Sequence, residues 1–289
     1  MTASRPGAGG NTLRRAIDDA ARTLREAGIA SARADAENLA AHAAGVDRSR
    51  LIMVEPDDGF LGRYRVLVAA RADRIPLQHL IGSAGFGPVT LSVGPGVFVP
   101  RPETEALLEW ALAQPLPDRP LIVDLCTGSG ALAVALAHAR PGARVIAVDD
   151  SDSALDYARR NAAGAAIDLV AADVTAPGLL AAHDGAVDLI VANPPYIPEG
   201  AELEPEVAQH DPHHALFGGP DGMAVIEPIV AHAQRLLRRG SGRIGIEHDD
   251  STSAATVAVF DRAGMFTDVT AHRDLTGRPR FVTATRVRR

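Results

Sequence analysis

Val187-Asp188-Leu189-Ile190-Val191-Ala192-Asn193-Pro194-Pro195-Tyr196-Ile197-Pro198 couples a buried-strand pattern to a stiff turn, and the rest of the chain is organised around it. Its first half is apolar and β-branched except at Asp188, with the length of a fully buried strand. Two consecutive prolines then end the strand, since neither can donate a ladder hydrogen bond and both fix φ. Asn193 and Tyr196 are thereby delivered at a carboxyl end, the edge where ligands bind in open α/β sheets. The residue types suit chemistry on a planar amide or amine nitrogen. The Asn193 side-chain oxygen and the Pro194 carbonyl can each accept one N–H, and the Tyr196 ring can cover the flat face of the group. Pro195 stiffens the turn. A plain proline-rich turn with an Asn cap would explain Asn-Pro by itself, but not the added tyrosine after a buried strand.

Upstream, β-like and helix-like runs alternate. Strands are expected at 121–125, 144–148 and 167–171, and helices at 130–139 and 154–163, with a short helix near 178–182. Downstream, the loop 199–219 leads to a helix over 223–238, a strand at 242–247, a helix at 252–263 and closing strands at 267–271 and 281–285. Such alternation predicts a mostly parallel sheet covered on both faces, an α/β fold.

Asp124-Leu125-Cys126-Thr127-Gly128-Ser129-Gly130 lies between the first strand of the series and its helix. Glycines there let backbone approach a ligand, and the helix start adds N–H groups. Asp149, closing the next strand, is placed for two ribose hydroxyls, and Asp173, closing the third, for an adenine amino group. Gly128, Gly130 and Ala133 also fit a loose dinucleotide fingerprint. Two features speak against it: a carboxylate at Asp124 before the glycines repels a pyrophosphate but tolerates a sulfonium and an amino group, and Asn-Pro-Pro-Tyr positions a nucleophile with no hydride role. The expected cofactor is S-adenosylmethionine, with S-adenosylhomocysteine as product.

The N-terminal part is different. Residues 1–10 are polar and Gly/Pro-rich and read as a disordered tail. Helical stripes follow at 11–27 and 31–44, with further helices expected at 51–54 and 64–72, so that 11–75 form a small helical bundle. Glycines and short β-like runs (89–93, then 97–99) make 76–99 a linking hairpin. Residues 100–289 form the catalytic domain. Within it Thr104 of Pro100-Arg101-Pro102-Glu103-Thr104-Glu105 is a candidate helix cap.

The 289 residues suffice for a sizeable core. A formal net charge of −7 argues against a protein held on nucleic acid mainly by phosphate contacts. Cys126 is the single cysteine, which rules out an internal disulfide and a Cys-rich zinc site. His210-Asp211-Pro212-His213-His214 lacks other ligands nearby in sequence and reads as a substrate-side loop, so no metal is expected. No apolar run reaches the length of a membrane span and no signal core opens the chain, so the expected compartment is the cytoplasm.

With these motifs the chain resembles the HemK/PrmC family of N5-glutamine methyltransferases. The resemblance runs through residues 27–37, 76–82, 99–105, the glycine loop, Asn193–Pro198, 215–222 and the closing segment Gly277-Arg278-Pro279-Arg280. Asn-Pro-Pro-Tyr is shared with adenine methyltransferases, whereas its combination with Pro-Arg-Pro-Glu-Thr-Glu is far more specific. The resemblance implies a class I, Rossmann-like, seven-stranded methyltransferase domain behind a helical substrate-docking domain. It implies action on the Gly-Gly-Gln glutamine of peptide-chain release factors in translation termination; the expected state, apart from the resemblance, is a monomer. Carried over by position, Asp124, Cys126, Thr127, Gly128, Ser129, Gly130, Asp149, Asp173, Val174 and Asn193 contact the cofactor. Asn193, Pro194, Pro195 and Tyr196, with Arg101 and Glu103, contact the substrate. Asn193, Pro194 and Tyr196 are the catalytic set. Two positions depart from the family pattern: Cys126 stands where glycine is usual, and Glu247-His248-Asp249-Asp250 where Glu-His-Gly is expected. The alternatives are a ribosomal-protein glutamine methyltransferase, an adenine-N6 nucleic-acid methyltransferase and a non-catalytic cofactor-binding scaffold.

Overall fold

The computed structural model describes residues 8–274 and 276–288, with the side chains of residues 8–11 and 52 left aside. It divides into two compact units: residues 1–82 with 204–210, and residues 83–203 with 211–289.

The first unit is helical: α1 (Ala8–Glu26), α2 (Ala32–Ala44), a 3-10 turn (Arg48–Met53), α3 (Phe60–Ala72) and α4 (Leu77–Ile81). Leu13, Ile17, Ala20, Ala21 and Leu24 of α1 share its core with Ala36, Leu39, Ala40 and Ala43 of α2. The alanines let the helices approach closely, and Phe60 and Tyr64 of α3 stack at 5.4 Å to fill the remaining space. The Tyr64 hydroxyl donates to the Ala36 carbonyl at 2.9 Å, so its polar end is satisfied. Helix α1 opens three residues before the end of the expected tail; residues 1–7 of that tail lie outside the described residues. The run at 51–54 is the end of a 3-10 turn and not an α-helix, since Pro56 allows it no length.

The second unit holds a seven-stranded sheet in the order β5-β4-β3-β6-β7-β9-β8 and a separate hairpin, β1 (Ser83–Phe86) and β2 (Val89–Ser92). Strands β3 (Leu121–Leu125), β4 (Arg144–Asp149), β5 (Ile167–Ala171), β6 (Leu189–Ala192) and β7 (Arg243–Glu247) pair in parallel. Strand β9 (Pro279–Arg286) adds antiparallel to β7, and β8 (Phe266–Arg273) closes the sheet antiparallel to β9. Every residue of β6 is buried, as a strand covered on both faces requires. Ile190 and Ala192 join Val123, Leu125, Ile146 and Val148 on one face, under α9 (Ile226–Leu236) and α10 (Ser253–Ala263). Leu189 and Val191 join Ile122, Val145 and Ala147 on the other, under α5 (Glu105–Leu112) and α6 (Ala131–Ala139). Each fully buried Leu or Ile contributes about 1.5–3 kcal/mol relative to exposure. Asp188, the one polar interruption of the run, ties strand starts together: it accepts from the Leu121 amide (2.9 Å) and from Arg238 Nε (2.9 Å).

From β3 the chain winds outward through α6, β4, α7 (Asp152–Asn161) and β5, then returns to β6 on the other side of β3. The strand order therefore reverses between β3 and β6, and the crevice outside their carboxyl ends is the binding edge.

Several boundaries differ from the sequence expectation. The expected hinge 76–99 splits: α4 belongs to the helical unit, and the hairpin to the sheet unit. Val97 and Val99 are buried in the sheet unit's core without being in a strand. The loop 199–219 contains a short helix, α8 (Pro205–His210), which packs with the helical unit and so makes that unit discontinuous in sequence. The reason is ionic: Glu206 accepts from Arg71 Nη1 (3.1 Å) and Arg74 Nη2 (2.5 Å). The short helix expected at 178–182 is a 3-10 turn at Ala181–His183. Strand β5 stops at Ala171, two residues before Asp173.

Candidate active site

Asn193 follows β6 directly, and the register sets the ends of three strands side by side: Leu125 pairs with Ala192, and Ala192 with Ile246. The glycine loop after β3, Asn193 after β6 and Glu247 at the end of β7 therefore share one edge.

The turn 193–198 is pinned by the segment 215–222. Ile197 donates to the Leu216 carbonyl (2.9 Å) and Gly218 donates to the Ile197 carbonyl (3.0 Å). A side chain at Gly218 would meet the Pro195 carbonyl at 2.5 Å, and one at Gly222 the Tyr196 carbonyl at 2.2 Å. Both positions must be glycine for the two backbones to lie this close.

The other anchor is Thr104, on a 3-10 turn (Pro102–Thr104). The sequence suggested a helix cap, yet its side chain caps nothing. Its hydroxyl accepts from Asn193 Nδ2 (3.2 Å) and donates to Glu247 Oε2 (3.0 Å). Glu247 is fully buried, and its Oε1 has no hydrogen-bond partner among the described residues. Burial pushes its carboxyl up to about 8. The Arg280 cation lies in the electrostatic neighbourhood of the Tyr196 phenol and is itself held by Asp274 (two contacts at 3.2 Å) and Asp250 (3.4 Å). Burial raises the Tyr196 phenol far above the usual range, so it stays neutral. Arg101 pairs with the buried carboxylate of Asp211 (2.5 Å) and lies over the Phe98 ring at 4.9 Å. Glu103 is exposed nearby.

In the glycine loop, Asp124 Oδ2 accepts from the Thr127 hydroxyl (2.6 Å) and the Ala133 amide (3.1 Å). Its Oδ1 is buried with no hydrogen-bond partner among the described residues, and burial lifts the carboxyl to about 7. Asp149 accepts from the amides of Gly128 (2.8 Å) and Ser151 (3.0 Å), and burial raises its carboxyl too. Asp173 is exposed and takes two 2.7 Å bonds from Thr175, which lower its carboxyl and keep it ionised. Ser129 and Val174 are buried beside them. Burial raises the Cys126 thiol, and the negative field of Asp149, Asp124, Asp150 and Asp173 raises it further. Cys126 has φ +60, the left-handed conformation that glycine adopts most easily. Asp249 takes over the turn after β7 in another way: its carboxylate accepts from Ser251 and caps a 3-10 turn with φ −67, so no glycine is needed there.

All the sequence candidates thus fall in the sheet unit, along its carboxyl edge. Three contributors were missed. Glu247 carried the signal of a charge at the end of a buried strand, and Arg280, at the start of β9, that of the closing segment Gly277-Arg278-Pro279-Arg280. Asn161 bonds both Ser92 (3.0 Å) and the Ser129 carbonyl (2.9 Å) and carried none. Among the described residues no group of three His, Cys, Asp or Glu is placed to hold a metal ion. His213 stacks on Phe217 at 4.3 Å. No helix among the described residues is long and apolar enough to cross a membrane.

Residues 15–82 match the PrmC N-terminal domain, and residues 90–215 the methyltransferase small domain. The release factor glutamine methyltransferase of Mycolicibacterium smegmatis is 68% identical over 96% of this chain and 99% of its own length. The chain belongs to the release factor glutamine methyltransferase family. The Mycobacterium tuberculosis member is 66% identical over 95% of this chain and 92% of its own. At greater distance, that of Streptomyces coelicolor is 47% identical over 95% and 98%. A solved release-factor-specific protein-(glutamine-N5) methyltransferase from Alicyclobacillus acidocaldarius is 27% identical over 68% of this chain and 99% of its own. Its TM-score of 0.42 adds nothing to the sequence relation.

Proposed function

We propose that this chain transfers a methyl group from S-adenosylmethionine to the N5 side-chain amide nitrogen of the Gly-Gly-Gln glutamine in peptide-chain release factors. The observation that carries the reading is the anchored Asn193. Its Nδ2 is committed to Thr104, which leaves Oδ1 as an acceptor at the binding edge.

The glycine loop fits the cofactor. The partnerless Asp124 Oδ1 and the surrounding carboxylates suit a ligand that brings cationic groups and hydroxyl donors, and they disfavour a pyrophosphate. Asp124 and residues 126–130, with Asp149, Asp173 and Val174, would hold it. When bound, S-adenosylmethionine supplies an electrophilic methyl carbon on its sulfonium. The rest of the work belongs to the chain. Asn193 Oδ1 and the Pro194 carbonyl accept the two amide hydrogens of the glutamine, fixing its nitrogen lone pair in one direction. Tyr196, with the Arg280 cation near its phenol, covers the amide plane, while Pro195 stiffens the turn and Arg101 and Glu103 flank it. Catalysis is then chiefly positioning and preorganised electrostatics. Methylation makes the nitrogen acidic, so its proton passes to water without a strong base. The helical unit serves docking of the release factor; Met53 and Val66 are 75% and 70% exposed on it.

The test is intact-mass analysis of a purified release factor incubated with this protein and S-adenosylmethionine. One added methyl is the expected result. No added mass, with cofactor binding verified by calorimetry, would overturn the release-factor assignment. Parallel reactions with ribosomal proteins and with DNA would then identify which alternative holds.

A further inference from the structure

We infer that Thr104 and Glu247 are positioning residues that fix which way round the Asn193 amide sits. The inference rests on the reading that Asn193 holds the substrate amide. An Asn side chain can present its oxygen or its NH₂ to a ligand, and the two orientations have nearly the same shape. Only one accepts a hydrogen from the glutamine; the other sets N–H against N–H.

The polarity is set from the far end. A threonine hydroxyl has one hydrogen to donate. Here Oγ1 donates it to Glu247 Oε2 at 3.0 Å, and the same oxygen then has only lone pairs left for Asn193 at 3.2 Å. Asn193 must therefore turn Nδ2 toward Thr104 and Oδ1 away from it. All three groups are kept from bulk water: Thr104 is 4% exposed, Glu247 1%, and Asn193 partly buried. Water cannot readily substitute for a lost partner, so the relay holds one polarity. A burial-raised Glu247 fits this arrangement, because a retained proton can reside on the partnerless Oε1 while Oε2 goes on accepting. Neither Thr104 nor Glu247 needs to touch the substrate for this role.

Thr104→Val keeps the shape and removes both bonds. The expected result is a fall in kcat on the order of tenfold, the worth of one neutral hydrogen bond, with cofactor affinity by calorimetry and the KM for release factor little changed. The Asn193 side-chain ¹⁵N–H₂ signals, assigned by their loss in Asn193→Ala, should shift and exchange faster in Thr104→Val. Thr104→Ser, which keeps the hydroxyl, should recover most of the rate and the wild-type signals. Wild-type kcat in Thr104→Val, or a Thr104→Ser as impaired as the valine variant, would overturn the inference while leaving the role of Asn193 intact. An active Asn193→Ala would instead overturn the reading beneath it. Should the valine variant lose its fold, seen as lost cofactor binding, the serine variant and its Asn193 signals decide.

Discussion

Asp35 in the helical unit and Asp124 and Glu247 at the sheet edge are equally hidden from water, at 4%, 1% and 1% exposure, yet they are treated in opposite ways. Asp35 is paired on both oxygens, accepting from the Ser31 hydroxyl (2.8 Å) and from Arg71 Nε (2.8 Å), and Arg71 passes on to Glu206. Asp124 and Glu247 each keep one oxygen without a hydrogen-bond partner among the described residues. A buried acceptor left unpaired costs about 1–3 kcal/mol. The helical unit uses its buried charge to bind a sequence-distant segment; the sheet edge holds its carboxylates ready for a ligand or for a positioning task. Removing the first kind should cost stability and removing the second kind should cost function.

Arg71→Ala should give the largest effect. It strands Asp35 in the core and releases Glu206, and breaking such a buried pair costs about 3–5 kcal/mol. Urea unfolding of the full chain measures it; a loss below about 1 kcal/mol would erase the contrast. Asn193→Ala should do the reverse, lowering turnover about 10²–10³-fold while leaving the unfolding midpoint and the cofactor affinity close to wild type.

A third expectation concerns pH and cofactor binding. Asp124, raised to about 7, must ionise to meet a cationic ligand. Affinity should therefore climb about tenfold per pH unit from pH 5.5 and level off near 7, and Asp124→Asn should flatten that slope. The smallest effect is on stability. Glu247 binds its proton more tightly folded, to about 8, than unfolded, near 4. Its contribution to stability is therefore greatest at low pH and declines as pH rises through that window. Glu247→Gln should gain steadily on wild type as pH rises from 5 to 8, read as the difference between their unfolding curves. Groups held low, such as Asp274 at about 2, cancel in that difference.

What was legible in the sequence was whatever has a local signature. The strand 187–192 announced itself by unbroken apolar content, the turn after it by two prolines, and the glycine loop by its spacing. The boundaries of the helical unit were less legible, because α8 joins it through Glu206 meeting Arg71 and Arg74 across more than a hundred residues. Thr104 was read as a cap because caps are local; its actual partners, Asn193 and Glu247, are distant in sequence and meet only once β6 and β7 pair. Arg280 went unassigned for the same reason, since its proximity to Tyr196 exists only after β9 adds to the sheet.

The destination of the methyl group and the hold of Asn193 on the amide are the two central points. Fragment-ion mapping of a release factor methylated by the wild-type protein and by Asn193→Ala, at equal cofactor saturation, tests both together. The predicted result is one methyl on the Gly-Gly-Gln glutamine with wild-type protein, and a rate about 10²–10³-fold lower with the variant. A methyl on another residue, or an undiminished rate in Asn193→Ala, would contradict it.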